Sequence, residues 1–282
     1  MSYWPTFINK GDLSPGDKNP HPNLPDNLQL VTISSPDHPK FDLAFRLLDD
    51  YFGGLGEMET RDIIAKRLSI RPEHPINGYH MLYQIMMLYR GEECVGLRDH
   101  TAILGKDSDE VVVHLSHVLV LPKWRRKGLS AILRTLPANT AHECARRVSK
   151  LDLSVTLLCE MEPLDLSIPA NKIRRISYEK AGYKALGSTL NYSQPDFRKP
   201  SIIDADPEGQ KPIPLDVLLL RLGRNKSDSI SAEDARSYIE QIYTVYTHSF
   251  RKEEMLPCLN WFNAFTQKDV TNYPLYKPTE AP

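Results

Sequence analysis

The stretch HLSHVLVLPKWRRKGLSAIL, residues 114–133, decides the fold. Its alternating apolar residues end at Pro122. Four cations, Lys123, Arg125, Arg126 and Lys127, follow within five positions, and Gly128 then leads into a second apolar run. The first part reads as a strand and the second as a helix. A strand that enters a helix through a glycine-containing turn leaves the first helical N–H groups unpaired and aimed at one spot, with the positive end of the helix dipole behind them, which makes an anion site. Gly128 would let an anion approach the backbone, Ser130 is small and can donate its hydroxyl, and Arg125, Arg126 and Lys127 add charge at the rim. Residues 121–150 hold eight Lys/Arg and one Glu in a chain whose formal charge is −1. That asymmetry points to an anionic ligand, and a diphosphate fits it best.

The rest of the composition narrows the class. At 282 residues and 41% apolar content the chain can bury a full core. The start has no basic residues followed by an apolar run, and the longest apolar stretches, near 111–121 and 213–222, are about half of the ~20 residues a membrane helix needs. A cytoplasmic protein without membrane contact is expected. Cys94, Cys144, Cys159 and Cys258 are far apart and form no C-x-x-C pair, so neither disulfides nor a metal site is expected. A nucleic-acid surface is not expected either, because the basic span lacks interleaved aromatics and the total charge gives no general attraction.

Along the chain, the proline-rich residues 1–40 read as an extended arm. Helices are predicted from Phe41 to Phe52 and from Thr60 to Leu68. Two strands joined at Gly91 follow, then a third over residues 110–121. A helix with a bend point at Pro137 runs from 129, a strand covers 153–161, and a helix over 171–181 stops at Gly182. Another strand covers 183–192, an excursion spans 192–214, and a last strand spans 215–222. Ser231 and Asp234 read as a capping box for a helix to about Phe250, with another over 253–266. The apolar stripe of Ala235, Tyr238, Ile239, Ile242, Tyr246 and Phe250 must be buried, against its own domain or in a homodimer interface.

No Walker loop or G-x-G-x-x-G is present. The segment resembles the pyrophosphate loop [RQ]-x-x-G-x-[GA] of the GCN5-related N-acetyltransferases, which follows a strand ending V-x-P. Val120, Pro122, Arg125 and Gly128 are in register, and Ser130 replaces the usual Gly or Ala. The family's later pattern N-x-x-A-x-x-[FL]-Y-x-x-x-G-F is matched by NKIRRISYEKAGY through Asn171, Tyr178, Gly182 and Tyr183, with Arg174 where Ala is commoner. The resemblance covers about residues 40–223. It implies an α/β (α+β) fold with a mixed, curved central sheet flanked by helices and splayed between its fourth and fifth strands. Residues 1–40 would be the arm, 41–223 the acyltransferase domain, and 224–282 a C-terminal helical extension.

The implied activity is transfer of an acetyl or other acyl group from coenzyme A to a primary amine by direct attack, with no metal. The amine would belong to a small molecule or a peptide. The coenzyme would lie along Val118, Leu119, Val120, Arg125, Arg126, Lys127, Gly128, Leu129, Ser130, Ala131, Asn171, Arg174 and Tyr178. Backbone N–H groups near Leu119 and Val120 would polarise the thioester, and Tyr178 would protonate the leaving thiolate. His114 falls where members of the family carry a base, Ser116 could carry a water relay, and Glu160 at the end of the next strand is the other candidate base. Strand alternation predicts His114 and Ser116 on one face and a structural His117 on the other. Glu57 and Glu59 are expected beside the acceptor cleft. The alternative is a module of the same fold that binds acyl-coenzyme A without turnover.

Overall fold

Residues 79–120 build the middle of the molecule, because their β-branched and aromatic residues alternate across a sheet that is covered on both faces. The computed structural model describes residues 3–187, 190–198, 200–224 and 227–281. In chain order it contains β1 (Leu28–Ile33), α1 (Phe41–Phe52), α2 (Arg61–Leu68), β2 (Tyr79–Arg90), β3 (Glu93–Gly105), β4 (Glu110–Val120), α3 (Leu129–Arg147), β5 (Ser154–Met161) and α4 (Pro169–Ala181). There follow β6 (Lys184–Ala185), β7 (Ser193–Gln194), α5 (Pro200–Ala205), β8 (Ile213–Pro214), β9 (Asp216–Arg221), β10 (Ser229–Ser231), α6 (Ala232–Ser249), α7 (Lys252–Thr266) and β11 (Asn272–Pro274).

Seven strands form one sheet in the order β1-β2-β3-β4-β5-β9-β6. Only β4 and β5 are parallel neighbours, as the α3 crossover between them requires. Their pairing ends at Leu115 and Cys159, after which β4 runs on to Val120 against β3 while β5 runs on to Met161 against β9. The sheet therefore opens into a wedge there, the splay that the resemblance implies. β1 lies inside the span read from sequence as an arm, so the sheet already begins at Leu28. Within the strand predicted over 183–192 only β6 is extended, and residues 188 and 189 lie outside the described residues. Residues 225 and 226, at the start of the C-terminal extension, lie outside them too.

One face of the sheet carries α3, α4 and the arm. Leu82, Val113, Leu115, Ala141 and Tyr178 pack there, continued by Leu88, Ile132, Leu136 and the arm's Ile8, Leu13 and Leu24. Pro137 sits inside α3 and supplies no N–H for the Leu133 carbonyl, which instead accepts from Arg98 Nη1 at 3.2 Å. The other face carries α1, α2 and α6. The α6 stripe lies on Val112, Leu158, Val217 and Leu219, so it is buried within the chain, and any homodimer uses another surface. Ser231 caps α6 by accepting from Asp234 N at 3.0 Å, while the Asp234 carboxylate accepts from Arg221 instead of closing the box. Among the described residues no helix is long and apolar enough to cross a membrane.

Candidate active site

The turn after β4 is built from two left-handed residues, Arg126 at φ 61° and Gly128 at φ 81°. α3 begins on Gly128 with no side-chain cap. Trp124 is buried behind the turn and organises its cations. Its Nε1 donates to Glu93 at 2.9 Å, Lys123 pairs with Glu93 at 3.1 Å, and Lys127 stands 4.4 Å above its ring. Arg125 donates from Nε to the Val120 carbonyl at 3.1 Å. Arg126 and Ser130 are exposed, Leu129 is buried and Ala131 half-buried. Val118 and Val120 lean toward α3 and Leu119 toward α1, as strand alternation demands. Beyond Leu115 the edge of β4 that faces β5 has no partner strand, so the backbone there is open to a ligand in the wedge.

α4 forms the other wall. Asn171 is committed to its own loop, donating to Pro163 O at 3.0 Å and accepting from Asp165 N. Arg174 pairs with Glu162 at the surface, and the fully buried Arg175 binds Asp216 at 2.6 Å. Tyr178 is buried with its ring edge-on to Tyr183. Burial and the neighbouring Cys159 push its hydroxyl up to about 12, against the opposing Arg98 guanidinium.

His114 and Glu160 turn out to be partners, with Nε2 and Oε2 2.5 Å apart. Glu160 also accepts from the hydroxyls of Tyr192 and Tyr246, the latter at 2.5 Å. Burial disfavours its charge, but His114 and the three hydrogen bonds outweigh that and hold the carboxyl below its ordinary range. Both side chains are largely shielded from solvent, and the Tyr246 ring meets His114 edge-on at 5.6 Å. Ser116 lies at a bulge, where the register jumps from Arg98–Val118 to His100–Leu115, and its Oγ is buried with no hydrogen-bond partner among the described residues.

The bulge corrects one expectation. An extra residue in β4 reverses the alternation beyond it, so His117 emerges on the same face as His114, against Phe52, Glu57 and Glu59. Its backbone N–H and Nδ1 both bond Asp99 Oδ1, at 2.7 and 3.1 Å, and Asp99 also accepts from Tyr83 at 2.8 Å. Burial opposes the His117 charge, yet Asp99, Glu59 and the Glu57 carbonyl win and push the imidazole up to about 9. The group is therefore charged in the folded state at neutral pH. Its contribution to stability is complete below the ordinary 6.5 and is lost as pH rises through about 9. Urea midpoints of the wild type should fall from pH 6.5 to 9, and His117→Gln should lack that slope. Parallel slopes in the two proteins would refute the assignment.

Beside this network a cleft of about 490 Å³ opens between the α1–α2 connection and the 192–214 excursion. Its lining includes Phe45, Asp49, Met58, Glu59, Phe197 and Arg198. Glu59 is buried, pairs through Oε1 with Arg67 at 2.6 Å, and has no hydrogen-bond partner for Oε2 among the described residues. Glu57 is held above its ordinary range by burial and by Glu162 nearby. Sequence reasoning missed Tyr192, Tyr246, Asp99, Tyr83 and Arg67. Only Asp99 left a usable trace, in the polar run Arg98-Asp99-His100 inside an otherwise apolar strand.

The strand order, the parallel β4–β5 pair that parts into a wedge, and a helix opening on a left-handed glycine at its mouth define the fold of the GCN5-related N-acetyltransferases. No family profile and no curated protein matches the sequence. Among solved structures the chain is similar to the glucosamine N-acetyltransferase region of a fungal multi-domain β-N-acetylglucosaminidase, at 14% identity over 57% of this chain and 17% of that one, with a TM-score of 0.38. It is similar to an aminoglycoside acetyltransferase from an uncultured soil metagenomic sample, in complex with trehalose, at 16% identity over 54% and 88% of the chains and a TM-score of 0.37. An aminoglycoside 6'-N-acetyltransferase complexed with coenzyme A shares 13% identity over 71% and 99%, with a TM-score of 0.40.

Proposed function

We propose that the chain is an acyl-coenzyme A dependent N-acyltransferase that modifies the primary amine of a small molecule. The observation that carries this reading is the open edge of β4 beyond Leu115, ending in the left-handed Gly128 turn. Acyl-coenzyme A supplies the thioester. Its diphosphate suits the N–H groups at Gly128–Ser130, with Arg125 and Arg126 at the rim, and its carbonyl suits the N–H groups near Leu119 and Val120. Tyr178, kept protonated by burial, is the donor to the leaving thiolate. The amine enters by the cleft beside Glu59, where the Asp49 and Asp62 carboxylates of the lining favour an ammonium group. The His114–Glu160 pair is the base one layer deeper, reached through water or the Tyr246 hydroxyl.

The saturation of Glu160 by three donors favours a second reading, in which the fold binds acyl-coenzyme A without turnover. Thiol release from acetyl-coenzyme A across a panel of small amines separates the two. Amine-dependent release is the expected result, and release that no amine raises above the hydrolysis background would overturn the enzymatic reading.

A further inference from the structure

The arm does not simply wrap the domain. It enters the groove between α3 and α4 and ends over the turn described above. Asp17, itself buried, holds the Arg134 guanidinium of α3 in a two-point pair, Oδ2 to Nε at 2.9 Å and Oδ1 to Nη2 at 2.7 Å. The same guanidinium reaches Ser177 of α4 from Nη1 at 3.0 Å, one residue before Tyr178. Ser14 braces Asp17 at 2.6 Å. Gly16 lies against the Lys180 carbonyl at the end of α4, so closely that a Cβ there would overlap that oxygen. At the other end His21 stands over Gly128, and a Cβ on Gly128 would overlap the His21 Cβ.

A two-point carboxylate is the arrangement a guanidinium also makes with a phosphate. Arg134 is buried and lies within electrostatic range of Tyr178, yet a carboxylate from its own chain takes it. Leu13 and Leu24, on either side, are anchored in the apolar cluster around Trp124, Leu129 and Leu133. The stretch between them carries Pro15, Gly16, Pro20 and Pro22 and can lift as a loop while both anchors stay seated.

We propose that residues 14–21 are a built-in competitor for the coenzyme: the Asp17 carboxylate takes the place of an anionic ligand group on Arg134, His21 covers the Gly128 turn, and a diphosphate-bearing ligand binds only as this stretch lifts away. The inference rests on the acyl-coenzyme A reading. It makes occupancy of the groove a balance between an intramolecular anion and a diffusing one, so the resting protein binds coenzyme weakly until the stretch is displaced.

The test uses the full chain and coenzyme A itself. Calorimetry compares wild type with Asp17→Asn, Gly16→Ala and His21→Ala, the last an exposed position where folding is not at risk. Hydrogen exchange over residues 8–24 is followed in wild type with and without coenzyme A. Removing the charge-assisted pair in Asp17→Asn, or wedging the arm off the Lys180 carbonyl with the Cβ of Gly16→Ala, should tighten binding by roughly tenfold or more, and His21→Ala by a smaller factor. Exchange at 14–21 in wild type should accelerate on saturation. Equal affinities in all four proteins with unchanged exchange would overturn the competitor while leaving the coenzyme reading intact. No binding in any of them would overturn both.

Discussion

Glu160→Ala is expected to cost about 3–5 kcal/mol of folding stability, the range for removing one partner from a buried charged network. The carboxylate gathers three donors, His114 Nε2, Tyr192 Oη and Tyr246 Oη, from β4, from the segment before β7 and from α6. Without it, each would stay buried with no acceptor, at about 1–3 kcal/mol apiece before relaxation. Because the folded carboxyl lies below its ordinary range, its contribution is present above that range and fades as pH falls through it. Glu160→Gln, which keeps acceptor capacity but not charge, should fall between alanine and wild type. Urea midpoints give the comparison, and an alanine variant within about 1 kcal/mol of wild type would mean that water replaces the carboxylate and that the site is wetter than described.

Tyr178→Phe should lower turnover by ~10²–10⁴-fold, the usual effect of losing a general acid, with coenzyme affinity close to wild type. The ring packs on Tyr183 and would stay in place, so stability should change little. Arg98 and Cys159 surround the hydroxyl, and the guanidinium is suited to steady the phenolate that forms when the proton leaves. A large loss of stability with unaltered turnover would assign the tyrosine to packing alone. Measuring kcat and the coenzyme dissociation constant on the same preparations distinguishes the outcomes.

Most of the sheet was legible because its signals are local. Period-two runs, the Gly91 turn and the β4–Gly128–α3 junction each occupy a short window. β1 was hidden because LQLVTI is short and is flanked by prolines that dominate the reading of residues 1–40. The site was less legible for a geometric reason. His114 and Glu160 were both recognised, but their pairing is a property of the parallel β4–β5 register, which places His114 opposite Leu158, two residues before Glu160. The position of His117 depended on one inserted residue, and simple alternation cannot register a bulge. The arm's place in the α3–α4 groove rests on Asp17 meeting Arg134, 117 residues later, and composition carries no sign of that contact.

The long reach of the Glu160 network also bears on synthesis. Tyr246 is made 86 residues after the carboxylate it caps. At the usual elongation rates of about 5–20 residues per second, that is on the order of ten seconds in which β4 and β5 can pair while their α6-facing surface is bare, with β9 joining them only late in the interval. During that interval the nascent chain displays an apolar sheet face around a half-satisfied His114–Glu160 hydrogen bond, which is a surface that holdase chaperones bind. Completion of this domain is therefore a late event on the ribosome, set by the arrival of α6 and not by the formation of the sheet.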